Sequence, residues 1–180
     1  MDNGIIEVEK YNSDFNSLKW VSKAISKDTD REVIMRINIK GDVCAGTDGR
    51  RLHIAKTSTD YPDGLYKIIK STKKLFIAQK MDTGDIYPNY IQVIPKWNDL
   101  KEIVVQDTEE ITGADAFDIA IEFHNLNQSK FNLDFLIDSV SGNVKHVSQA
   151  DIDSPVRMQD TVEKEMWTRL AVVMPMRITS

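Results

Sequence analysis

The sequence predicts an α+β fold in which two helices pack on antiparallel sheets. Three observations carry this. Short segments of alternating apolar and polar residues are joined by tight turn signals, which make hairpins and therefore antiparallel pairs. Two amphipathic segments have helix start or stop residues at their ends. The order of strand, helix and several strands occurs twice, without a strict sequence repeat. A chain of 180 residues, 41% of them hydrophobic, buries a sizeable core and has the length of one large domain or two small ones.

The first strand is GIIEVEKY (4–11). Asn12, Ser13 and Asp14 then offer N-cap chemistry for a helix over FNSLKWVSKAISK (15–27). At about 100° per residue, Phe15, Leu18, Val21 and Ile25 form one face, and Lys19, Lys23 and Lys27 lie opposite with Asn16 and Trp20. VIMRINIKG (33–41), DVCAGTDG (42–49) and RRLHIAKT (50–57) form a meander joined by Lys-Gly-Asp and Thr-Asp-Gly turns. GLYKIIKS (64–71) and KKLFIAQK (73–80) make a further hairpin, followed by the turn-rich MDTGDIYPNY (81–90) and a short strand, IQVIP (91–95). KWNDLKEIVVQ (96–106) fits a short helix or a strand, and DTEEITGAD (107–115) reads as a loop. AFDIAIEFH (116–124) is expected to be a strand, and SKFNLDFLIDSVSG (129–142) a helix ending at Gly142. Three strands close the chain, NVKHVSQA (143–150), SPVRMQD (154–160) and TRLAVVMPMRI (168–178). Pro175 cannot donate to a sheet ladder and so belongs on an edge strand or at a strand's end, and the methionines beside it suit an adaptable binding surface.

A formal charge of −5 argues against a generally basic, nucleic-acid-coating protein, although a local basic stripe can act within an acidic whole. The single cysteine, Cys44, excludes an intrachain disulfide. With no signal-like apolar core near the start and no run approaching roughly 18 apolar residues, a cytosolic protein without membrane contact is expected. His53, His124 and His146 have no ligand-like spacing with Cys44, so no metal site is expected. Asp134 with Asp138, and Asp151 with Asp153, fit solvated surfaces better than acid–base pairs. No phosphate loop or nucleophile elbow occurs, and neither catalytic residues nor a cofactor are expected.

Five stretches, in order, resemble the bacterial DNA polymerase III β sliding clamp. GTDGRRL (46–52) is similar to the Ala-Thr-Asp-Gly-His-Arg-Leu segment of the family's middle domain, and YPNYIQVIP (87–95) to the Phe-Pro-Asp-Tyr segment that ends it. VVMPMRI (172–178) is nearly identical to the family's C-terminal strand. FNLDFLIDSV (131–140) and SPVRMQD (154–160) are weaker matches between them. The resemblance implies a single clamp-like domain over 1–180, with 1–95 similar to the middle clamp domain and 115–178 to the second half of the last.

The same resemblance implies a hydrophobic pocket that takes short clamp-binding motifs, of the glutamine-leucine-x-leucine-phenylalanine type, from DNA polymerase, clamp-loader and repair proteins. Carried over, its residues are Thr47, Gly49, Arg50, Arg51, Leu52, Pro88, Val93, Asn132, Phe135, Pro155, Val172, Met174, Pro175, Met176 and Arg177. Gly49 would admit a peptide backbone, Met174 and Met176 would mould around apolar anchors, and Arg51 and Arg177 would bind peptide carbonyls or an acid. Arg50 stands where the family usually has histidine and Gln92 where it often has arginine, which alters the polarity of the rim. Clamp helices face DNA, so Lys19, Lys23 and Lys27 are the candidate DNA contacts. The second helix, with Lys130, Asp134, Asp138 and Ser141 opposite Leu133, Leu136 and Val140, is net acidic, and only weak duplex binding is expected. Clamps are rings of three-domain chains, so a ring of this chain would need roughly six copies as a homo-oligomer, or cannot form. Two functions are open, a replication processivity factor and a non-encircling peptide-binding adaptor or competitor.

Overall fold

The structure, a computed structural model, describes residues 4–96, 101–104, 113–142, 144, 146–161 and 166–176. The chain divides into two compact units, Met1–Asn89 and Tyr90–Ser180, and the boundary falls inside the stretch 1–95 that resembles one clamp domain.

The first unit contains β1 (Ile5–Glu9), α1 (Ser13–Ser22), a 3-10 helix (Thr29–Met35), β2 (Ile37–Lys40), β3 (Val43–Thr47), β4 (Arg51–Lys56), β5 (Gly64–Ser71) and β6 (Leu75–Met81). These strands lie in the order β1-β6-β5-β2-β3-β4, each pair antiparallel. The Asn12 side chain caps α1 by accepting from the Asp14 N–H at 2.8 Å. Phe15, Leu18 and Val21 are buried where α1 packs on β3, β4 and β6, each contributing about 1.5–3 kcal/mol of apolar burial. Gly46 permits this approach, since a Cβ there would stand 2.6 Å from the Val21 carbonyl oxygen.

Trp20 is not on an outer face with the lysines; it is buried, stacked on His53 with ring centroids 4.3 Å apart. The His53 Nδ1 lies 3.0 Å from the Trp20 carbonyl, so this histidine belongs to the packing of α1 on β4. The expected strand 33–41 begins only at Ile37, because Asp28 accepts the Asp30 N–H at 3.1 Å and caps a 3-10 helix through Met35.

Asp14 fixes α1 to the β4–β5 connection. Its buried carboxylate accepts the Ser58 N–H at 2.6 Å, the Thr59 N–H at 3.0 Å and the Tyr61 hydroxyl at 3.0 Å. Burial works to raise its pKa, but these donors together hold it below the usual carboxylate value. Burial and the adjacent Asp14 charge push Tyr61 up to about 12, so its hydroxyl remains a donor at neutral pH.

The second unit contains a 3-10 helix (Tyr90–Val93), β7 (Lys101–Val104), α2 (Gly113–Asn127), α3 (Leu133–Val140), β8 (His146–Gln149), β9 (Val156–Gln159) and β10 (Arg169–Val173). Its strands run β10-β9-β8-β7, again antiparallel throughout. The Asn132 side chain caps α3, accepting from the N–H groups of Asp134 and Phe135 at 2.9 and 3.4 Å. Phe123 of α2 meets Phe131 edge-on, with centroids 5.5 Å apart, where α2 packs on α3. Arg157, buried in β9, donates to Gln159 Oε1 and to the Pro95 carbonyl, both at 3.0 Å, and so holds the end of the 91–95 segment.

The α+β class and antiparallel pairing are as expected, but the described residues form three α-helices rather than two. The segment 116–124, expected as a strand, lies within α2. IQVIP (91–95) is not a strand either: Ile91 and Val93 are exposed in a 3-10 turn. Residues 101–104 of the ambiguous 96–106 segment form a strand, and the last strand ends at Val173, which leaves Pro175 just beyond it.

Candidate functional site

Where β10 ends, the backbone of 174–176 turns onto the segment that follows α2. Pro175 has no N–H to extend a ladder, and the next donor, the Met176 N–H, bonds the Lys130 carbonyl at 2.8 Å. The segment it meets starts at Gln128, whose φ of +59° and N–H bond to the His124 carbonyl at 2.9 Å close α2 with a left-handed cap. Ser129, buried, turns its hydroxyl inward to Gln149 Oε1 at 3.1 Å and to the Ile152 carbonyl at 3.2 Å. Gln149 in turn donates to the Ser154 carbonyl at 2.8 Å, which ties the 150–154 loop to β8.

These bonds frame a groove of about 560 Å³ lined by Gln128, Lys130, Ile152, Asp153, Met174, Pro175 and Met176. Ile152, Met174 and Met176 are 44%, 38% and 50% exposed, a concentration of accessible apolar surface on pinned backbone. Met174, Pro175 and Met176 were expected site residues. Gln128, Lys130, Ile152 and Asp153 were not, because nothing in their local sequence shows that the 128–130 and 151–154 segments converge on the chain after β10.

The other expected residues of this unit sit elsewhere or serve the fold. Val172 is buried in β10, opposite Arg157 of β9. Asn132 is the α3 cap, Phe135 is half-buried on that helix, and Pro155 precedes β9. Val93 is exposed at the end of its 3-10 turn. Arg177 lies outside the described residues.

In the first unit, Thr47 ends β3, Gly49 and Arg50 lie in the β3–β4 turn, Arg51 and Leu52 open β4, and Pro88 is exposed near the end of the unit. Asp48 organises the turn: Oδ1 accepts the N–H groups of Arg50 and Arg51 at 2.8 and 3.0 Å, and Oδ2 meets Arg51 Nε at 3.1 Å. Arg51 also donates from Nη2 to the Lys23 carbonyl at 2.6 Å, at the C-terminal end of α1. Gly49 has a φ of +85°, and a Cβ there would lie 2.7 Å from Arg31 Nη2. Leu52 is buried. Arg50 is exposed and its guanidinium makes no bond among the described residues, so the turn presents Arg50 while Arg51 supports it.

The three lysines do not form one helical stripe. Lys19 donates to the Thr72 carbonyl at 2.9 Å and lies over the Phe15 ring; Lys23 is the C-cap of α1, and Lys27 follows the helix. On α3, Leu136, Ser139 and Val140 are buried, whereas Leu133 is 37% exposed rather than part of the inner face.

No protein-family model and no curated protein sequence matches the chain. Solved structures do match. The DNA polymerase sliding clamp from Bacillus subtilis superposes with a TM-score of 0.63 over 99% of this chain and 65% of its own, at 15% identity. The C. crescentus β sliding clamp gives 0.62 over 99% and 67%, also at 15% identity. The DNA polymerase III β subunit from Thermotoga maritima gives 0.59 over 97% and 66%, at 14% identity. The fold is that of the sliding clamp. The matched region spans about two thirds of each of those chains.

Proposed function

We propose that this protein is a non-catalytic, sliding-clamp-like replication accessory factor that takes a short hydrophobic motif of a polymerase or clamp-loader protein in the groove beside Met174, Pro175 and Met176. The observation that carries this reading is the groove itself: exposed methionines on backbone pinned through Lys130, at the end of the last strand of a clamp fold. Methionine side chains adapt to varied apolar anchors, and a fixed backbone lowers the ordering cost of binding. A labelled glutamine-leucine-x-leucine-phenylalanine peptide titrated with the full chain should bind with about micromolar affinity by fluorescence anisotropy. Absence of binding to the folded protein would refute the reading.

A peptide-binding adaptor that does not encircle DNA is the second reading. It is favoured by the engagement of Lys19 with Thr72 and Phe15, and by Asp134 and Asp138 on α3. A processivity ring would require a defined homo-oligomer, which solution mass measurement distinguishes from a monomer or dimer.

A further inference from the structure

Two opposite charges line the groove, Lys130 and Asp153. Both are exposed, and neither side chain makes a hydrogen bond or ion pair among the described residues. The nearby Asp151 is different: it accepts the Ser154 hydroxyl at 2.8 Å and the Asp153 N–H at 3.1 Å, contacts that hold its carboxyl below the usual range. Asp151 builds the turn, and Asp153 is left to face the groove. On the other segment, the inward bonds of Ser129 leave its neighbours Gln128 and Lys130 as the lining residues. The apolar lining consists of Ile152, Met174, Pro175 and Met176.

We propose that the groove is selective for an extended peptide in which an apolar anchor is flanked by one acidic and one basic residue, the acid pairing with Lys130 and the base with Asp153. The inference rests on the peptide-binding reading above and specifies its ligand. A purely apolar motif fills the space against Ile152 and the methionines but leaves both charges to water. Because both groups are exposed, each pair should improve affinity by about 2- to 5-fold, and high salt should reduce the gain.

The test uses the full chain and labelled peptides on the glutamine-leucine-x-leucine-phenylalanine scaffold, flanked by glutamate and lysine in either order or by two serines. The better glutamate–lysine peptide should bind about 10-fold more tightly than the serine peptide at low salt. Lys130→Gln should remove the share due to glutamate, and Asp153→Asn the share due to lysine, with circular dichroism unchanged. Charged and serine peptides binding alike, or a charge preference that survives both substitutions, would overturn the charge proposal and leave the peptide reading standing. Failure of every peptide, the serine one included, would overturn both.

Discussion

Met176→Ala separates binding from folding in the candidate groove. Full burial of a methionine side chain is worth about 1.5–3 kcal/mol, and Met176 is 50% exposed, so roughly half of that remains to be gained when a peptide covers it. Truncation should therefore weaken peptide binding by about 1 kcal/mol, close to fivefold in Kd. The fold should persist, because the substitution retains the Met176 N–H bond to the Lys130 carbonyl and removes only a half-buried side chain, at most about 1 kcal/mol of stability. Met166→Ala is the control: Met166 is 69% exposed but does not line the groove. Anisotropy titrations of the three proteins, with thermal melts alongside, decide the matter. Equal weakening by Met166→Ala, unchanged affinity in Met176→Ala, or unfolding of that variant would show that Met176 is not a peptide contact separable from the fold.

Asp14→Ala leaves two backbone N–H groups and the Tyr61 hydroxyl without their acceptor, and should cost about 2–3 kcal/mol in urea unfolding at neutral pH. The folded carboxylate is held below its ordinary value of 3.8, so its stabilisation is complete above that pH and is lost as the pH falls through the folded value; the gap between wild type and variant must narrow on acidification. Gly49→Ala should destabilise by about 1–2 kcal/mol, since an L side chain is strained at a φ of +85° and its Cβ meets the Arg31 guanidinium; an unchanged melting temperature would contradict the turn geometry. Duplex DNA binding should be weak, salt-sensitive and abolished by Lys19→Glu with Lys23→Glu, whereas tight binding that survives high salt would favour the encircling reading.

The hairpins and α1 were legible because their signals are local. The Asp48–Gly49 turn joins β3 to β4 as expected, and Asn12 caps α1. The segment 116–124 misled because its apolar residues satisfy two periods. Phe117, Ile119, Ile121 and Phe123 alternate as in a strand, yet the helix buries Ala116, Ile119 and Phe123 and leaves Phe117 and Ile121 exposed. The methionines beside Pro175 were visible as an adaptable surface, but their partners were not. Gln128, Lys130, Ile152 and Asp153 reach the groove through the Met176–Lys130 bond and the inward turn of Ser129, contacts that no local pattern encodes. Val172 and Asn132 entered the expected pocket through the family resemblance alone; the structure shows Val172 on the buried face of β10 and Asn132 as the cap of α3.

Methionine methyl NMR reports directly on whether this groove receives a peptide. Titration of the full, methyl-labelled chain with the glutamine-leucine-x-leucine-phenylalanine peptide should shift the Met174 and Met176 resonances with a common, about micromolar, dissociation constant. The resonances of Met158, buried in β9, and of Met166, outside the groove, should stay in place. Shifts confined to other methyls, or no shift at peptide concentrations far above that constant, would show that the groove is not a peptide site.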